Sequence, residues 1–217
     1  LNSITISFRI SLFCSNFAKQ ITNMQEDESK IKWCQFIAGD KEAYSWIYKV
    51  YIQMLFQYGK RFTSDTELIK DCIQEVFTKL YNNRKHLVIP DNIKLYLLIS
   101  LKNCLINTIC QESHYERYNS ETISFSLELT VEEQYVNNEH YQNQLKRIRE
   151  ILALLTPRQK EIIYYRYIQE LSFDEICVIM DINYQSAQNL IQRSLKKIRD
   201  TYGSVEVFLL LLSISVR

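Results

Sequence analysis

The chain has 217 residues, 24% of them charged and 47% apolar, with a formal net charge of +1. That length holds one large or two small domains, and three glycines with two prolines leave little room for a loop-rich or collagen-like architecture. No run reaches the roughly 18 uninterrupted apolar residues of a membrane span, and without sustained alternation of β-branched residues the expectation is an all-α protein.

The first segment, LNSITISFRISLFCSNFAKQITN, has Arg9 inside what would be the apolar core of a signal peptide, which argues against export. The expected natural start is Met24, and residues 1–29 are read as a leader. From Lys30 the charge divides the chain in three. Residues 30–103 hold 12 Lys and Arg against 7 Asp and Glu, residues 104–143 hold 1 against 7, and residues 144–217 hold 11 against 8. Two mildly basic helical bodies, 30–110 and 144–203, are therefore expected on either side of an acidic, flexible linker, 111–143, with an apolar tail, VFLLLLSISV, inside 204–217. That arrangement suits a grip on an extended polyanion or a large assembly, although two plainly solvated domains would give the same charges.

In the first body, GDKEAYSWIYKVYIQMLFQYGKRF predicts one long helix with Ala43, Ile47, Val50, Tyr51, Met54, Leu55 and Tyr58 inward. TELIKDCIQEVFTKLYNNRK predicts a second, with Leu68, Cys72, Val76 and Leu80 on its apolar stripe, and DNIKLYLLISLKNCLINTI a third. The six cysteines form no CxxC pair and no zinc-like spacing with His86, His114 and His140, so they are read as reduced thiols in a cytosolic chain. With no phosphate-binding glycine loop and no nucleophile motif, no cofactor, metal or catalytic residue is expected.

The second body is more explicit. TPRQKEIIYYRYIQE predicts a helix capped by Thr156 with Pro157 at its first position. LSFDEICVIM follows, with Leu171, Ile176, Ile179 and Met180 inward and a Ser172–Glu175 capping box. After the short turn DIN, NYQSAQNLIQRSLKKIRD carries an apolar seam through Ala187, Leu190, Ile191, Leu195 and Ile198, with Asn183 as cap. An amphipathic helix alone is more often just solvated, and a membrane-surface helix would want larger apolar groups and denser lysines. Helix, three-residue turn and helix is, however, the helix-turn-helix pattern, in which the second helix presents its N-terminal residues to base edges. Amides can pair bidentately with adenine, and basic groups suit phosphates. Tyr184, Gln185, Ser186, Gln188, Asn189, Gln192, Arg193 and Lys196 are therefore the candidate DNA-contacting set.

The segment LTPRQKEIIYYRYIQELSFDEICVIMDINYQSAQNLIQRSLKKIR resembles region 4 of the extracytoplasmic-function (ECF) sigma factors of bacterial RNA polymerase, through Leu171, Ser172, Glu175, Ile176 and Arg193. The family's usual turn glycine is Asp181 here, and its common alanine after Glu-Ile is Cys177. Asp71, Gln74, Glu75, Val76 and Phe77 resemble the Asp-x-x-Gln-Glu-Val-Phe signature of sigma region 2. The resemblance, from about Ile31 to Tyr202, implies a sigma factor with two helical domains and no enzymatic activity of its own. It implies that Asp71, Gln74, Glu75 and Phe77 bind core RNA polymerase. It also implies that Lys94, Tyr96, Lys102 and Asn103, with the preceding loop RKHLVIPDN, open minus-10 promoter DNA, while the helix-turn-helix reads the minus-35 element. Tyr96 stands where the family usually has tryptophan, and NTICQES replaces a common basic cluster. An anti-sigma factor is the further implied partner. The competing readings are a stand-alone helix-turn-helix regulator and a helical scaffold that binds protein only.

Overall fold

Each helix needs oxygen atoms for the free amides of its first turn, and this chain supplies them from side chains. The computed structural model describes residues 27–112, 125–127 and 139–202. The leader up to residue 26, most of the acidic connector and the tail from residue 203 lie outside them. Among the described residues all regular structure is helical, as expected. Helix α1 covers 27–37. Asp40 accepts from the amides of Glu42 and Ala43 to start α2, Lys41–Gly59, and Asp65 accepts from those of Glu67 and Leu68 to start α3, Thr66–Asn82. After one 3-10 turn at Arg84–His86, α4 runs over Ile93–Glu112, with the Leu95 amide bonded to Asn92 Oδ1 at 3.0 Å.

Helices α1 to α4 bury Trp33, Phe36, Ile47, Leu55, Ile69, Phe77, Leu97 and Leu101 together. The α3 stripe differs from the sequence expectation by one position. Leu68 is only half-buried, and Ile69 and Ile73 point inward beside Cys72, Val76 and Leu80, because a 17-residue helix between two others must cover a wider face than one narrow seam. Helix α4 is long and apolar enough on average to cross a membrane. Its leucines 97, 98, 101 and 105 are instead fully buried in this bundle.

The second half comprises α5 (Glu139–Leu154), α6 (Pro157–Ile163), α7 (Phe173–Met180) and α8 (Tyr184–Tyr202). Both expected caps are capping boxes: Thr156 with Gln159, and Ser172 with Glu175. The single helix expected after Pro157 is not continuous. At Tyr164–Ile168 it widens into a π turn, closed by the Gln169 amide on the Tyr164 carbonyl at 3.0 Å. No glycine or proline marks this change, so hydrophobic periodicity cannot reveal it.

The two bundles do not stand apart. Their buried side chains form one continuous cluster. Tyr58 of α2 and Tyr165 share a buried hydroxyl hydrogen bond of 2.6 Å. Phe125, from the connector, lies 5.4 Å from the ring of Phe62 and 5.4 Å from that of Tyr164, while the Ser126 amide donates to the Arg61 carbonyl at 2.7 Å. The connector thus contributes a packed contact as well as length.

Gly59 ends α2 where α3 crosses it, and a β-carbon there would lie 2.6 Å from Ile69 Cγ2. Ile69 is completely buried and has no free space to retreat into. Gly59→Ala should therefore destabilise the fold by about 1–3 kcal/mol, the usual cost of overpacking, read as a lowered Tm by circular dichroism.

Candidate nucleic-acid and polymerase interfaces

The two helices of the helix-turn-helix meet at a tight backbone reversal. Asp181 adopts φ 51° and ψ 54°, the left-handed conformation that glycine most often supplies at this point. The Ile182 amide closes the turn on the Cys177 carbonyl at 3.1 Å. Asn183 Oδ1 then accepts from the Ser186 amide at 2.8 Å, starting α8 as expected. Ala187, Ile191 and Ile198 are buried, while Leu190 and Leu195 are half-buried. Ser194, which broke the expected seam, is buried too, because its hydroxyl bonds back to the Leu190 carbonyl at 2.7 Å.

The outer side of α8 carries the candidate DNA-contacting set. Tyr184, Gln185, Ser186, Asn189, Gln192, Arg193 and Lys196 are exposed, and Gln188 is half-buried. The Gln185 amide donates to Asn189 Oδ1 at 3.2 Å, aligning two amides one turn apart. Tyr184 leans on Phe173 of α7 at 5.5 Å between ring centres, and the Arg166 guanidinium covers the Phe173 ring at 5.2 Å. Sequence reading missed Arg158. From the start of α6 it donates to the Met180 carbonyl at 3.1 Å and, with Ser186, Asn189 and Arg193, borders a groove of about 330 Å³ beside α8. Its place follows from the packing of α6 on α8, which no local pattern encodes.

In the first body, Asp71, Gln74 and Glu75 are exposed on one side of α3. Phe77 does not join them. It is 2% exposed, packed edge-on against Tyr48 at 4.8 Å and Tyr44 at 6.2 Å, and so supports this surface from beneath. Glu75 pairs with Lys79, whose hydrogen bond, followed by that of the Cys104 thiol, holds the carboxyl below its ordinary range.

Helix α4 divides the minus-10 candidates between two faces, as positions about 100° apart per residue require. Tyr96 and Asn103 line a groove of about 480 Å³ against α3, shared with Glu75, Lys79 and Leu87. Tyr96 is braced there by Trp33, at 5.5 Å edge to face. Lys94 and Lys102 face the other bundle. Lys94 Nζ donates to the Gln169 carbonyl at 2.6 Å, and Lys102 Nζ donates to Glu161 Oε1 at 2.6 Å and to the Ile179 carbonyl at 2.9 Å. Asn92 reaches Glu175 Oε1 at 2.6 Å.

Residues 145–198, spanning most of α5 through nearly all of α8, match the family model of sigma-70 region 4. Over this region the chain is similar to the sigma-70 family. Among solved structures, that of CnrH in complex with the cytosolic domain of CnrY is similar in fold. The match has a TM-score of 0.51 at 14% identity and covers 79% of this chain and 95% of that one. No curated protein matches the chain in sequence.

Glu175 links the region 4 cap to the first body. Burial would raise its carboxyl, but hydrogen bonds from the Ser172 backbone, Asn92 and the Ser172 side chain, with the nearby Lys94 charge, outweigh it and hold the carboxyl below its ordinary range. A depressed carboxylate contributes stability that is present above its unfolded pKa and lost as pH falls through the folded one. Unfolding scans below pH 4.5 should therefore show an acid-induced loss of Tm that is shallower in Glu175→Gln.

Proposed function

We propose that this protein is an ECF-type sigma factor that binds core RNA polymerase and directs it to specific promoters, reading minus-35 DNA with α8 and opening minus-10 DNA with the first body. The observation that carries the reading is the exposed amide and basic face of α8 within a region 4 domain. Gln185, Gln188 and Asn189 suit base edges, and Arg193, Lys196 and Arg158 suit phosphates.

The exposed Asp71, Gln74 and Glu75 are the polymerase-docking surface in this proposal, and the groove holding Tyr96 and Asn103 receives an unstacked base of the melted strand. Catalysis belongs to the polymerase, and the protein acts in the cytoplasm. A stand-alone helix-turn-helix regulator would leave the first four helices without a task. CnrH was solved with the cytosolic domain of CnrY, and a comparable protein partner, an anti-sigma factor, is proposed here.

In vitro transcription with purified core polymerase on a promoter pool tests the whole reading. The combined Asp71→Ala, Gln74→Ala, Glu75→Ala variant should stay folded and lose core polymerase in pull-down, and retained binding would refute the docking surface. Phe77→Ala should instead lower Tm, since removing a buried phenylalanine ring costs about 3–5 kcal/mol. Gln188→Ala or Asn189→Ala should cost about 1–3 kcal/mol at one or two minus-35 positions. A uniform loss over all sequences in a binding titration would mean that the side chain holds phosphate.

A further inference from the structure

Along the open groove between α3 and α4, helix α4 presents Tyr96, Ser100, Asn103, Asn107 and Gln111. Their three- and four-residue spacing sets them in one stripe, about 22 Å long at the helical rise. The Ser100 hydroxyl is turned back onto the Tyr96 carbonyl at 2.8 Å. Asn103, Asn107 and Gln111 are exposed, and among the described residues their amides bond to no other side chain. Charge is nearly missing here. Among the described residues the groove's only ionised lining groups are Glu75 and Lys79, which pair with each other. The two lysines of α4 lie on its other faces, Lys94 on the Gln169 carbonyl and Lys102 on Glu161. A neutral groove with an aromatic ring and a row of amides suits planar, uncharged, hydrogen-bonding groups, which nucleobases are and phosphates are not. We infer, on the basis of the proposed function, that Asn107 and Gln111 extend the single-base site of Tyr96 and Asn103 into a track that holds successive bases of the melted strand by their edges.

The spacing of the rungs selects the form of DNA that fits. Asn103, Asn107 and Gln111 follow one another at about 6 Å, whereas stacked nucleotides repeat about every 3.4 Å along a strand. A stacked strand or a duplex meets one rung and misses the next. A strand drawn out to about 6 Å per base meets each of them, and the stripe then takes about three or four bases. Every rung carries a donor and an acceptor in one plane, so it discriminates by the pattern of the base edge it meets. At the far end Tyr96 offers a ring face for stacking, and the wholly buried Trp33 holds that ring edge-on at 5.5 Å. Because the one cation lining the track is already paired, capture of the strand releases few counterions and depends little on salt.

The test uses holoenzyme assembled from core polymerase and the full chain, bound to a labelled duplex whose minus-10 segment is unpaired. A second duplex carries abasic sites along one unpaired strand, which keeps every phosphate and deletes the bases. The wild type should bind the intact duplex roughly tenfold more tightly than the abasic one. Asn107→Ala combined with Gln111→Ala should remove most of that preference and weaken the intact duplex by roughly fivefold or more, as loss of a good base contact does. The slope of log K against log salt should stay unchanged. Both positions are exposed and alanine favours a helix, so the variant should keep its helical spectrum and Tm. Asn107→Lys should instead strengthen both duplexes alike and steepen the slope by roughly 0.7, the value for one added single-strand phosphate contact. Equal binding of the two duplexes by the wild type, a double variant that keeps the preference, or one whose slope falls by roughly 0.7 per position would each overturn the track. If the wild type adds no binding over core polymerase alone, the sigma reading fails and the track with it, whereas promoter-specific initiation by a chain indifferent to the abasic sites removes only the track.

Discussion

The carboxylate of Glu161 is the constraint to which the packing of the two bundles answers. It is buried, it accepts from Lys102 at 2.6 Å and from the Tyr165 hydroxyl at 3.1 Å, and Tyr165 is bonded in turn to Tyr58. A carboxylate removed from water costs several kcal/mol unless paired and hydrogen-bonded, so α2, α4 and α6 must meet in one register. Burial then pushes the Tyr58 and Tyr165 hydroxyls well above the usual tyrosine range, with the neighbouring carboxylate adding to the effect. Both therefore remain neutral donors through the physiological range.

What the sequence made legible was mostly local. Thr156, Ser172 and Asn183 announce their helices because capping involves residues two or three positions apart, and Asp181 stands where the turn needs a left-handed residue. The seam of α8 was readable for the same reason, since one helix face is encoded in one short window. Contacts between distant segments were not. Lys102 and Glu161 are 59 positions apart, and no window shows that a lysine on a basic helix will spend its charge on a carboxylate of the other bundle. Phe77 lay within a surface-binding motif and still points inward, because a signature records which residues occur together and does not record which way each faces.

Helix α4 gathers these facts in one element. One side presents Tyr96 and Asn103 to an open groove, another gives Lys94 and Lys102 to region 4, and its leucines fill the core between. A movement of region 4 thus changes what one side of α4 can touch without repacking the leucines that hold it. The connector residues Phe125 and Ser126 lie beside the same interface, so the segment joining the bundles can sense their separation directly.

The π turn at Tyr164–Ile168 has an evolutionary consequence. Such a turn is an α-helix carrying one surplus residue, and the surplus rotates whatever follows by about 100°. Tyr164 and Tyr165, at its start, are both buried in the interface. The turn closes α6, and the bend that follows it, with Glu170 at φ 56°, leads directly to the Ser172 cap of α7. Within this stretch, length itself is under constraint, because it sets the spacing between Tyr165, bonded to Tyr58 of the first body, and the Ser172 cap that starts α7.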